Sequence, residues 1–114
     1  MRVVLLLSIA VALSGIVFGT KVASGADAYG YVSQAQLWRT GQLHISMPVA
    51  EHLPWSNADW SVSPLGYRAA TRPHNIVPTY APGLPLMMAG ASLVHPDAVY
   101  WVVPVMGGVL VYLS

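Results

Sequence analysis

The chain has no cysteine, which excludes a disulfide framework and thiolate chemistry. That absence fits either side of a bacterial inner membrane. Charge is scarce as well. Asp, Glu, Lys and Arg make up 8% of the 114 residues, against about 25% in an average soluble domain. Five cations and four acids leave a net charge of +1, so there is no basic field of the kind that draws nucleic acid. No Lys/Arg run and no zinc-finger spacing occurs either. What the chain has in excess is apolar surface, at 55% hydrophobic residues. So few charges cannot easily cover a water-facing exterior. The composition therefore points to a membrane protein.

Long apolar runs set the expected layout. Val3–Thr20 carries no charge behind Met1 and Arg2, and a spanning helix needs about 20 apolar residues. Residues 1–20 are therefore read as a first transmembrane helix. A secretory signal is the alternative, with small residues in Val22–Ala26 for cleavage, but the run exceeds the usual apolar core of about 7–15 residues. Residues 78–95 and 98–114 are read as a second and a third transmembrane helix, joined by the turn His95-Pro96-Asp97 into a helical hairpin. Tyr80, Tyr100 and Trp101 would sit as interface anchors. The last run stops without a polar flank. The chain is therefore expected to be the N-terminal fragment of a longer multi-span protein, the alternative being a complete small membrane protein.

Between the first two spans, residues 21–77 form an extramembrane loop. Lys21–Tyr80 holds every charged residue except Arg2 and Asp97. Its first part has apolar or aromatic residues at 28, 31, 32, 35 and 38, a helical spacing. The spacing predicts an interfacial amphipathic helix over 27–40, with Asp27 as N-cap and Gly41 at C′. An ordinary core helix is the plainer reading of the same pattern. Prolines at 48, 54, 64 and 73 interrupt the rest of the loop. Trp55 and Trp60 flank the turn-prone Ser56-Asn57-Ala58-Asp59, and Gln42–Val49 suits a short strand. His44, Glu51 and His52 are a loose candidate metal set, but no tight ligand spacing joins them. No cofactor is implied.

The order of these features resembles a known family. Asp27-x-Tyr29-x-Tyr31 follows the first span, Trp38-x-x-Gly41 closes the helix, and Tyr80-x-Pro82-Gly83-Leu84-Pro85-Leu86 enters the second span. This order is similar to the N-terminal end of the GT-C superfamily. More narrowly, it resembles the bacterial membrane glycosyltransferases related to the protein O-mannosyltransferases and the aminoarabinose transferase of lipid A. The resemblance implies a mainly α, integral, multi-pass protein of the bacterial inner (plasma) membrane with a partial GT-C fold and a loop on the outer face, although Lys21, Arg39, Arg68 and Arg72 would by charge alone place it inside. It implies transfer of a sugar from a polyprenyl-phosphate donor to a glycan, lipid or protein acceptor, among membrane lipids. It also implies an active-site acid at Asp27. The family pattern is incomplete here: Ala28 stands where many members carry a second acid, and Ala81 where many place a lysine before the prolines.

The residues themselves allow that chemistry. Inverting glycosyl transfer needs a base for the acceptor proton, a role for Asp27. Arg68 and Arg72 are the candidate cations for the leaving phosphate, Tyr31 and Tyr80 the hydrogen-bonding partners, and Trp55 or Trp60 a stacking face for the sugar. A helix cap is the plain alternative for Asp27, and solvated charges for the two arginines. The fragment alone would lack most of a lipid-binding cavity and is expected to be inactive. The rival reading is a non-enzymatic membrane protein or complex subunit whose loop binds a partner.

Overall fold

The computed structural model describes residues 1–114. Helix α1 runs Arg2–Phe18 through a stretch free of proline, and stops where Gly19 turns extended (φ −65°, ψ 145°). Helix α2 spans Ala26–Arg39. A short strand β1 (Ile45–Ser46), a 3-10 turn (Pro48–His52) and the single-turn helix α3 (Ala58–Ser61) come after it. Strands β2 (Tyr67–Ala69) and β3 (Asn75–Pro78) are next, then α4 (Gly83–Ser92), a second 3-10 turn (Pro96–Tyr100) and α5 (Val102–Leu113).

Three expectations are corrected by this architecture. First, no helix is long and apolar enough to cross a membrane. The longest, α1, has 17 residues and covers about 25 Å at 1.5 Å per residue, against a hydrocarbon core of about 30 Å. The runs assigned to residues 78–95 and 98–114 shrink to ten and twelve helical residues. Pro82 sits at the N-cap of α4, and Pro96 opens a 3-10 turn that consumes the start of the last run. The multi-pass inner-membrane placement falls with the spans. So does the transmembrane partial GT-C fold, and with it the membrane setting expected for a transferase.

Second, the chain is not purely helical. β1, β3 and β2 form an antiparallel sheet in that order, with Ile45 opposite Ile76 and Arg68 opposite Val77. Third, α4 and α5 do not close on each other as a hairpin. Instead α4 lies along α2, and α5 lies antiparallel along α1.

The core forms where α2, α4 and the second 3-10 turn meet, around Val32, Ala35, Met88, Ala89, Val99 and Val102. α1 and α5 meet through small residues. A Cβ on Gly108 would lie 2.8 Å from the Ser8 carbonyl, and the Ser8 hydroxyl donates to the Gly108 carbonyl at 2.6 Å. Away from that seam, Leu6, Leu13, Val17, Leu110 and Leu113 are all more than half exposed. At the other end of the molecule, α2 finishes in a Schellman motif. Gly41 is left-handed (φ +74°), its N–H donates to the Trp38 carbonyl, and the Gln42 N–H donates to Leu37. That is the conformation for which glycine is favoured at C′.

Candidate functional site

The start of α2 is not capped by Asp27. Gly25 occupies the N-cap without a side-chain bond, and Asp27 lies one residue inside the first turn. There the helix dipole still favours a carboxylate, while the side chain is free to bond elsewhere. It accepts a hydrogen bond from the Tyr80 hydroxyl at 2.5 Å, across 53 residues of chain. The Tyr31 ring packs against Tyr80 with centroids 4.5 Å apart. The structure thus brings Asp27, Tyr31 and Tyr80 into one cluster.

Glycines make the room. The Tyr80 ring lies over Gly30 of α2 and Gly66 before β2, and a Cβ at either position would collide with it. Gly66 also adopts φ +90°, a conformation that side-chain-bearing residues rarely hold. Gln34, almost wholly buried, donates its amide to the Tyr80 carbonyl at 3.2 Å and fixes the backbone there. Sequence reasoning missed Gly30, Gly66 and Gln34. A glycine in a helix interior costs about 1 kcal/mol relative to alanine, so Gly30 in the middle of α2 was the available sign of a close approach.

The shared proton stays on Tyr80. Donation to Asp27 pushes the phenol above its ordinary value, with burial and the nearby carboxylate charge adding to the shift. Tyr80 therefore acts as a donor that occupies Oδ1 of Asp27, while Oδ2 accepts no hydrogen bond. Beside the cluster lies an apolar cavity of about 250 Å³ between α2, α4 and the second 3-10 turn, lined by Ala28, Tyr31, Leu84, Met88 and Tyr100 among others. Tyr31 borders both.

The arginines lie elsewhere. On β2, Tyr67 is buried toward α2, its hydroxyl donating to Ser33 at 2.9 Å, and burial pushes its phenol up. Arg68, the next residue, faces away from α2. With Arg72 from the β2–β3 turn it lines a recess of about 630 Å³ that also takes in His44 and Trp60. None of Asp27, Tyr31 and Tyr80 borders that recess. Trp55 sits apart again, its indole N–H donating to Ser61 at 3.0 Å.

His74 and His95 have local partners. His74, left-handed at φ +54°, places Nδ1 3.4 Å from Asp59 and donates its backbone N–H to the same carboxylate. His95 Nδ1 accepts from the Asp97 N–H, and its ring stacks on Trp101. His44, Glu51 and His52 do not converge, and no three His, Asp or Glu side chains stand close enough to hold a metal ion. The chain matches no protein-family model, no curated protein and no solved structure.

Proposed function

We propose that the chain carries a site that transfers a sugar from a polyprenyl-phosphate donor to an acceptor hydroxyl, with Asp27 as the base. The observation that carries this reading is the Tyr80–Asp27 hydrogen bond. It orients the carboxylate and leaves one of its oxygens open. In the transfer, the acceptor oxygen bonds to the anomeric carbon and its proton passes to Oδ2 of Asp27. The bond from that carbon to the phosphate oxygen breaks, and the phosphate leaves with the electron pair. Tyr80 is a positioning residue, holding the carboxylate through Oδ1. The apolar cavity beyond Tyr31, about 250 Å³, has room only for the first isoprene units of such a donor, beside the polar wall that an amphipathic ligand needs.

The test is sugar transfer from a polyprenyl-phosphate hexose by the protein. Asp27→Asn, which keeps the shape and removes the basicity, should lower the rate about 10²-fold or more. Tyr80→Phe should lower it less. Undiminished transfer by Asp27→Asn overturns the assignment. A second reading, a non-enzymatic subunit that binds a partner, draws support from the exposed apolar sides of α1 and α5. Copurification of a stoichiometric partner, with no transfer by the wild-type protein, would favour it.

A further inference from the structure

We infer that the recess on the face of the sheet turned away from α2 is a binding site for a phosphorylated sugar, separate from the Asp27 cluster. Strand alternation builds it. Arg68 and its cross-strand partner Val77 share one face, and Asn75 lies on the same side two residues earlier. Arg72 enters from the hairpin turn, His44 from just ahead of β1 and Trp60 from α3. The Asp59–His74 contact ties α3 to the hairpin and so sets Trp60, the neighbour of Asp59, at the rim.

The charges around the recess are not balanced within the chain. The chain has four Asp and Glu side chains. Asp27 accepts from Tyr80, Asp59 faces His74, Asp97 pairs with Lys21 at 2.8 Å, and Glu51 forms no ion pair. The chain's two ion pairs are those of Lys21 and His74, so neither Arg68 nor Arg72 has a carboxylate partner. Two guanidiniums without a counter-ion, bordering one concave space, make a positive site whose planar forks match phosphate oxygens. A phosphate monoester brings up to two negative charges and three acceptor oxygens, enough for both arginines. Trp60, 59% exposed, offers a flat apolar face for the C–H side of a sugar ring. The volume of about 630 Å³ lies within the usual range for small-molecule sites, about 300–1,000 Å³.

The test is calorimetric titration of the full chain with a hexose 1-phosphate, inorganic phosphate and the uncharged hexose, at about 0.15 M salt. The hexose phosphate should bind several-fold tighter than inorganic phosphate, and the uncharged hexose should not bind. Arg68→Gln with Arg72→Gln should weaken the hexose phosphate by more than about tenfold, as loss of charge-assisted hydrogen bonds requires. Trp60→Leu should bring it down to the level of inorganic phosphate. Arg68→Lys with Arg72→Lys should fall between wild type and the double Arg→Gln variant, which separates lost recognition from lost folding. Asp27→Asn should leave binding unchanged, so failure of the transfer reading would not touch this result. Equal affinity for hexose phosphate and inorganic phosphate, or equal affinity in wild type and the double Arg→Gln variant, would overturn the inference.

Discussion

The α1–α5 pair and the unit built from α2, the sheet and α4 are held together by different means. α1 and α5 meet along a seam of small residues, Gly108 against Ser8 and Ala12, and Gly15 against Pro104, with one buried side-chain hydrogen bond. Almost everything else on them is apolar and exposed. In the second unit, side chains distant in sequence interlock: Tyr80 with Asp27, Tyr67 with Ser33, Gln34 with the Tyr80 backbone. Backbone complementarity holds the first region, and specific polar contacts hold the second. A helix apolar on all sides is ordinarily covered by something, whereas the polar unit is arranged to present groups to solvent. The proposed base, Asp27, lies in the second, and the first exposes apolar surface.

Four substitutions bear on that contrast, in falling order of effect. Gly108→Leu should separate α1 from α5. Overpacking of this kind costs about 1–3 kcal/mol, occasionally more, and here the obstacle is backbone. Amide exchange should quicken in α1 and α5 while β2 and β3 keep their protection. If the strands lose protection equally, the two regions are not separable.

Gly30→Val should displace the Tyr80 ring, at a cost of about 1–3 kcal/mol, and should break its bond to Asp27. The expected sign is a lower thermal midpoint together with a Tyr80 phenol that returns toward the ordinary tyrosine value.

Tyr67→Phe removes one hydrogen bond, that to Ser33, and should cost about 1 kcal/mol. The phenol of Tyr67 is raised in the folded chain. Its contribution is therefore full below the ordinary tyrosine value, and it is lost as pH rises through the folded value. Wild type should lose stability at alkaline pH more steeply than the Phe variant.

The smallest effect belongs to Asp97→Asn. Lys21 beside Asp97 holds that carboxyl below the usual carboxylate range. Its contribution is present above the ordinary value, is lost as pH falls through the folded value, and should weaken with added salt, as exposed pairs do. Acid titrations of wild type and Asp97→Asn in low and high salt would measure it.

Some of this was legible in the sequence. Gly41 after a helically spaced run ending at Trp38 marks a left-handed helix end, and the Schellman hydrogen bonds are there. The grouping of Asp27 with Tyr80 rested on the order of motifs rather than on any local pattern, because nothing within a few residues of either one reveals a contact across 53 residues. The sheet was hidden by its size. Strands of two to four residues among prolines at 64, 73 and 78 show no sustained alternation. The spans were overread because apolar composition does not show where a helix stops. Gly19 and Pro96 end or divide runs that hydropathy alone treats as continuous. The separation of Arg68 and Arg72 from Asp27 depends on the face of β2 from which Arg68 projects. That face is fixed only by the antiparallel register with β3, which the sequence does not display.

The most direct test is the titration of Tyr80 itself, tracked by ring carbon NMR in wild type and in Asp27→Asn. A carboxylate held against the Tyr80 hydroxyl predicts a phenol that titrates above the ordinary tyrosine value in the wild-type chain and falls back toward it in Asp27→Asn. Identical titration curves in the two proteins would mean that the two side chains do not meet, and would contradict the account.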